Sequence, residues 1–377
     1  MARSSAHSAS VLHDIHQRQR ADGPAAMLGI GTANPTNCVL QDQFADWFFR
    51  VTKSEHLAEL KAKTKKICDK SGITKRYFYH TEEIISGHPE LIDGALPSLT
   101  TRLGIIEDAA PKLAAEAATK GDRGLGPAGG RHHAPRGGHQ LRRQRTWRRP
   151  APLRGCWASA RPCAAPCCTS TAAPPVSSRS ASPRTSLRTT AAPACSWPVL
   201  RPNSCCSAPP DESRLDVVIA MTLFSDGAGA VIVGADPASS PMAMERPIFH
   251  MVPTLVQGSI NKCLADTLAP LGLLNASDGG WNGLFWALHP GGRAILDSYE
   301  AALGLEPGKL AASRHVLSEY GNMMGATIIF VLDEIRRRRR RCHDDRKDCQ
   351  WGVMSGLGPG LTIETIVLHV TDSQDEN

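Results

Sequence analysis

Two residues stand out by type and setting. His289 follows the apolar run Leu284 to Leu288 and opens the turn His289-Pro290-Gly291-Gly292, where a side chain can face a cleft instead of a core. Asn322 lies in Glu319-Tyr320-Gly321-Asn322-Met323-Met324-Gly325, between polar residues and an apolar stretch of helical character. An imidazole and a carboxamide aimed at one point can both donate hydrogen bonds to an oxyanion developing on a thioester carbonyl. Either residue alone reads as an ordinary hydrogen-bonded side chain; their local contexts make the pair a candidate. A cationic group, Lys61, Lys63, Lys65 and Lys66, lies on one predicted helix, and its plain reading is a solvated face.

The flanking pattern says what must position these groups. Ala25 to Gly31 is a short apolar run closing on glycine, which predicts a buried strand and turn. Phe44, Trp47, Phe48 and Val51 recur at helical spacing, which predicts an amphipathic helix over Gln41 to Val51. A second helix is expected from Leu57 to Cys68 and a third from Leu103 to Ala118. Val217 to Thr222 is apolar, Phe224 to Ala230 reads as a small-residue turn, and Val231 to Gly234 as a buried strand. Leu284 to Leu288 is a strand, and Gly325 to Ile335 a buried helix ended by the solvated run Arg336 to Arg341. Leu361 to Val370 is β-rich and follows the glycine loop Gly356 to Gly360. Strands alternating with helices imply a layered α/β fold.

Residues 121–210 break that pattern. They contain no Ile, Phe, Tyr, Met, Lys or Glu, yet hold 14 Arg, 7 of the 12 Cys and 14 of the 27 Pro. A packed core needs branched and aromatic side chains, so this window is expected to be disordered or misfolded. It also carries the chain's positive charge: its arginines against the single acid Asp122 exceed the net +7, so the flanks are acidic overall. The basic balance therefore does not point to a nucleic-acid partner. The cysteines outside the window have no paired spacing, which favours a reduced, cytoplasmic setting. No apolar run reaches membrane-span length. Cys342, His343, Asp345 and Cys349 fit no common zinc spacing, so no metal is expected.

Six ordered motifs carry a resemblance. Gly31-Thr32-Ala33-Asn34-Pro35, Ile73-Thr74-Lys75-Arg76-Tyr77, Phe224 to Ala230, Trp286 to Gly292, Leu317 to Met323 and Gly356-Leu357-Gly358-Pro359-Gly360 closely resemble plant type III polyketide synthases, the chalcone synthase-like enzymes. The resemblance implies a duplicated thiolase-like fold, layered α-β-α-β-α. Its parts would be a flexible leader over 1–24, an N-terminal domain over 25–235 containing the anomalous window, and a C-terminal domain over 236–377. It implies an acyltransferase that joins malonyl-CoA, with loss of carbon dioxide, to a CoA-linked starter of phenylpropanoid type. His289 and Asn322 match the family's catalytic His and Asn. Lys63, Lys66 and Lys70 match its coenzyme A phosphate contacts, with Gly292 and Ala294 also on the coenzyme A path. Gly358, Pro359 and Gly360 match its active-site scaffold loop. The resemblance further implies a homodimer and no cofactor beyond the CoA thioesters themselves.

The family's nucleophile is a cysteine held as a thiolate by its imidazolium neighbour, in a motif His-Leu-Asn-Gly-Cys. No such motif is present; Cys163, Cys167 and Cys168 have the wrong neighbours. The genetic code accounts for its loss. Cys167 to Pro174 can be encoded by TGY TGY ACN TCN ACN GCN GCN CCN, and reading that from the third base permits Leu-His-Leu-Asn-Gly-Cys-Ser. The same offset from Cys156 to Pro166 permits another family-like stretch, and a different offset suits Leu125 to Arg131. The window thus reads as a frame-shifted translation, with the nucleophile codon straddling Ala172 and Ala173. Near Val252-Pro253 the family also carries a longer segment that includes part of the pocket wall. A chain without its nucleophile is expected to be inactive. The alternative is a catalytically silent homologue serving as a dimer partner; an Arg-rich nucleic-acid binder is more remote.

Overall fold

The computed structural model describes residues 25–93, 99–123, 188–194, 210–234, 243–250, 256–274, 279–341, 349–358 and 362–370. The leader, most of the anomalous window, Ala172 and Ala173, Cys342, His343 and Asp345, and Pro359 and Gly360 lie outside the described residues.

Strand β1 (Ala25–Ala33) is followed by β2 (Asn37–Leu40), α1 (Gln41–Val51), α2 (Ala58–Lys70), β3 (Lys75–Phe78), α3 (Glu82–Gly87) and α4 (Leu99–Arg123). After it come β4 (Arg188–Ala194), α5 (Leu215–Leu223), β5 (Gly227–Gly234), β6 (Ala243–His250) and α6 (Val256–Leu268). The chain continues through β7 (Phe285–Leu288), α7 (Arg293–Leu303), α8 (Ala311–Tyr320), α9 (Gly325–Arg341), β8 (Trp351–Gly358) and β9 (Thr362–His369).

The predicted α1 forms over its expected bounds because its stripe is apolar. Phe44, Phe48 and Phe49 are fully buried, each contributing about 2 kcal/mol of transfer free energy. With Leu60, Cys68, Phe78 and Met221 they make a core that locks α1, α2 and α5 around β3. The apolar stretch after the window forms the helix α5. The expected small-residue turn is partly strand, since Gly227 to Ala230 begin β5.

Seven strands run in the order β4-β5-β1-β6-β9-β8-β7, antiparallel except for the parallel β7–β8 pair. Strands before and after the window meet where β1 pairs with β6 at Ala25 and Ala26. Helix α9 packs against β1, β5, β7 and β8, so one helix supports strands from both halves. Its Ala326, Ile329, Phe330 and Leu332 share a core with Met27, Ile30, Ala287 and Leu368. On the opposite face, Trp286, Leu288, Val353 and Val367 pack with Ile260, Leu264, Leu296 and Tyr299 of α6 and α7. Helix α4 closes over β1 and β5 through Leu113, Ala117 and Ala118. The approach is close enough that a Cβ at Gly31 would sit 2.0 Å from the Ala117 carbonyl oxygen.

Three expectations need correction. Within the window expected to be disordered, Arg188–Ala194 forms β4 in register with β5, and α4 runs on to Arg123. Its place at the sheet edge tolerates Pro193, which has no N–H to donate. Helix α9 does not end before its arginines. Arg336 and Arg337 pair with Asp333, Arg338 pairs with Glu334, and Arg336 also donates to the Ile30 carbonyl on β1 at 3.1 Å. Carboxylates one turn back hold the run in helix. Finally, Gly356 to Gly358, expected as loop, extend β8 opposite Glu364, Ile363 and Thr362.

Candidate active site

The β7–β8 ladder delivers His289. Leu288 pairs with Ser355, and the His289 N–H donates to the Ser355 carbonyl at 2.9 Å, extending the ladder one residue past the strand. The chain then turns sharply, with Gly291 N–H donating to the His289 carbonyl at 3.0 Å. His289 is only 8% exposed, and burial pushes its imidazole down to about 4. The ring is therefore neutral at physiological pH and presents one N–H donor.

Asn322 arrives from the opposite direction, between α8 and α9. Its N–H donates to the Leu223 carbonyl at 2.9 Å, and its carbonyl accepts from Ser225 N–H at 3.0 Å, tying it to the end of α5. The side-chain amide is held at both ends: Nδ2 donates to the Gly291 carbonyl at 3.1 Å, and Oδ1 accepts from Met324 N–H at 2.9 Å. Gly291 also lies beside the imidazole, since a Cβ there would be 3.8 Å from His289 Nε2. The two residues singled out in the sequence thus meet across one turn. A carboxamide nitrogen carries two hydrogens, so one remains beyond the bond to Gly291.

Arg76 supports this arrangement, and its role was missed. It is fully buried, and its guanidinium donates to Gln41 Oε1 (2.7 Å) and to the carbonyls of Met221 (2.6 Å) and Phe224 (2.7 Å), while lying 3.9 Å over the Phe44 ring. It fixes the α5 end to which Asn322 is bonded. The signal was available: Arg76 shares the inward face of β3 with Phe78. Gly321 was likewise unassigned. Its φ of +68° and ψ of −164° suit glycine, and a Cβ would lie 2.8 Å from Arg76 Cγ.

The lysines of α2 divide into two sets. Lys61 and Lys65 both reach Asp46 of α1 at 2.8 Å. Lys63, Lys66 and Lys70, at i, i+3 and i+7, form an exposed stripe that makes no salt bridge among the described residues. Past the end of α2, Gly72 contacts the start of α7: a Cβ there would lie 3.5 to 3.8 Å from the Arg293 stem. Gly292 is the buried residue preceding α7, and Ala294 is exposed on its first turn. Gly358 closes β8 opposite Thr362, whereas its neighbours Pro359 and Gly360 lie outside the described residues.

The described cysteines sit elsewhere. Cys38 is exposed on β2, Cys349 lies 3.6 Å from Lys309 Nζ, and Cys68 is buried with the α1 aromatics. Burial pushes the Cys68 thiol up to about 11, which leaves it protonated and unreactive at neutral pH.

The elements form a layered α/β frame in which the Asn322 amide is tied to the turn that follows the buried His289. The chain belongs to the chalcone and stilbene synthase family: the C-terminal domain of that family matches residues 237–371 and the N-terminal domain matches 12–128. This is a family of type III polyketide synthases, which are acyltransferases. The chain is similar to bisdemethoxycurcumin synthase of Oryza sativa subsp. japonica, 40% identical over 407 residues, covering 96% of each. Those 407 aligned positions outnumber the 377 residues of this chain, so the relative carries residues that this chain lacks. The two domain matches leave 129–236 uncovered, a span that takes in most of the anomalous window. Among the described residues, no helix is long and apolar enough to cross a membrane.

Proposed function

We propose that the His289–Asn322 site holds a malonyl thioester for decarboxylative condensation with a CoA-linked starter, and that this chain cannot complete the reaction for want of a nucleophile. The observation that supports the first part is the Asn322 amide, held by Gly291 and Met324 at the turn that follows His289 and keeping one N–H beyond its bond to Gly291. A thiolate would attack the starter thioester, forming an acyl-enzyme and releasing coenzyme A. Malonyl-CoA would then lose carbon dioxide, its C–C electron pair moving into an enolate whose oxygen accepts from His289 and Asn322. The enolate carbon would attack the acyl carbonyl, forming the new C–C bond and releasing the enzyme thiolate.

The two donors differ in how they are fixed. Asn322 is pinned by two hydrogen bonds of its own amide, whereas the His289 ring is set by packing and by its backbone bond to Ser355. A thiolate beside the ring would favour the imidazolium and raise its pKa from the value of about 4 that burial alone produces. The missing cysteine would therefore alter the charge state of its neighbour as well as supply sulfur. We assign the loss to the shifted frame across Ala172 and Ala173. We also read the chain as a homodimer by its family.

The test compares this chain with one in which 121–210 is replaced by the frame-restored sequence. Carbon dioxide release from labelled malonyl-CoA and extension of a phenylpropanoid-type CoA starter are measured together. Extension should appear only in the restored chain, and Asn322→Ala in that background should lower it by roughly a hundredfold or more. Chain extension by the unrestored protein would refute the inactivity, and full activity of the restored Asn322→Ala variant would refute the site. Sequencing the transcript across 118–212 checks the frame independently.

A further inference from the structure

We propose that Lys309 and Cys349 form an oxidation site, in which hydrogen peroxide joins the amine nitrogen to the thiol sulfur through one oxygen. The product is a covalent N–O–S bridge between the chain just before α8 and the chain just before β8. The proposal is independent of the function read for His289 and Asn322.

Convergence of the two groups carries it. Lys309 Nζ lies 3.6 Å from Cys349 Sγ, although 40 residues separate them. Both turn to one acceptor: the amine donates to the Asn282 carbonyl, and the thiol lies 3.9 Å from the same oxygen. That acceptor is itself fixed, since Asn282 Nδ2 donates to the Gly304 carbonyl at 3.1 Å and Oδ1 accepts from Glu306 N–H at 2.8 Å. The cysteine backbone is clamped as well. Arg339 donates to the Cys349 carbonyl at 3.1 and 2.6 Å, with its guanidinium 5.0 Å over the Phe285 ring. Two reacting groups fixed in this way meet at high effective concentration.

Access separates this thiol from Cys68, which is sealed among the α1 aromatics and held protonated. Cys349 and Lys309 are each half-buried, so a small oxidant reaches both.

The chemistry balances in three steps. The sulfur attacks one peroxide oxygen, the O–O bond breaks, and Cys349 becomes a sulfenic acid with release of water. The deprotonated amine attacks a second peroxide in the same way, giving a hydroxylamine and water. The hydroxylamine oxygen then attacks the sulfenyl sulfur, whose hydroxyl leaves as water with the hydroxylamine proton. One thiol, one amine and two peroxides thus give the bridge and three waters; sulfur and nitrogen are oxidised and both peroxides are reduced. A direct S–N bond would need the two atoms to close most of the gap between them, whereas an inserted oxygen fills part of it. Two equivalents of a dithiol return the thiol, the amine and one water. The bridge closes a stretch of chain that contains α8, the Asn322 turn and α9, and such a closure stabilises by restricting the unfolded chain.

The experiment treats the reduced full chain with hydrogen peroxide, quenches with catalase, and maps cross-linked peptides by mass spectrometry. A Lys309–Cys349 pair should appear with one oxygen gained and two hydrogens lost, and dithiothreitol should remove it. The urea midpoint should rise by roughly 1 M on oxidation and fall back on reduction. Cys349→Ser, and Lys309→Arg, which keeps a donor for the Asn282 carbonyl, should unfold near the reduced parent and show neither the pair nor the rise. Ortho-phthalaldehyde, which condenses a neighbouring amine and thiol into an isoindole, should join the same two residues in the reduced chain. Failure of that reaction would overturn the placement of the pair. Cys349 recovered as a sulfonic acid, or in a disulfide with Cys342, with no link to Lys309, would overturn the bridge. A linked pair lacking the oxygen would overturn the N–O–S assignment.

Discussion

Replacing Gly321 by alanine should destabilise the chain by about 4 kcal/mol, because two costs fall on one residue. The first is conformational. At φ +68° and ψ −164°, Gly321 occupies a region essentially closed to side chains, which costs about 2 to 3 kcal/mol. The second is steric. The added methyl would lie 2.8 and 3.0 Å from Arg76 Cγ and Cδ and 3.1 Å from the Leu223 carbonyl oxygen. Arg76 cannot step aside cheaply, since its head is bonded to Gln41, Met221 and Phe224 and stacked on Phe44, so about 1 kcal/mol or more is added. Gly272 supplies the control: its φ is also positive, at +71°, but nothing lies within 4 Å of its virtual Cβ. Gly272→Ala should cost only about 1 kcal/mol. Urea unfolding followed by tryptophan fluorescence measures both. Equal destabilisation of the two variants would refute the claim that Arg76 and the Tyr320-Gly321-Asn322 turn are packed as described.

Acid should weaken the fold in a defined window. His80 and His289 are both held by burial near pKa 4, below the usual 6.5, so the unfolded chain binds protons that the folded chain refuses. Their contribution is intact above pH 6.5 and is lost as pH falls towards 4; His289→Gln should flatten part of that slope in urea midpoints measured across this range. Arg76→Lys keeps the charge but loses the fork and the planar stack, and should cost about 3 kcal/mol by thermal or urea unfolding. Gly31→Ala should be similarly damaging, at about 3 kcal/mol or more, because the Ala117 carbonyl and the Gly121 N–H are backbone and can yield only if α4 shifts. Hydrogen exchange should show that shift as faster exchange along α4.

Local patterns were legible where one element's own spacing settles its face. The Phe44, Phe48 stripe set α1, and the run Leu284 to Leu288 closing on Pro-Gly-Gly set β7 and the turn after it. Boundaries were less legible where a partner decides them. Helix α4 runs past Ala118 to Arg123 because Gly31 lets it lie against β1, and α9 continues through Arg341 because Asp333 and Glu334 face its arginines. The strand Arg188–Ala194 has little apolar content to announce it, and its place is fixed by the free edge of β5. The two lysine sets of α2 looked alike in sequence; Asp46 on α1 is what separates them.

By itself the sequence determined the family, the candidate pair His289 and Asn322, and the absence of a nucleophile motif. Each depends on residue identity and local order, which the chain carries directly. Tertiary structure decided that the Asn322 amide bonds the Gly291 carbonyl beside His289, although 31 residues separate them. It also decided that His289 is buried, with no charged partner among the described residues, and hence neutral, and that Arg76 braces the α5 end that holds Asn322. These follow from which distant groups share a desolvated volume, and pairing and burial of that kind arise only when the strands and helices are assembled.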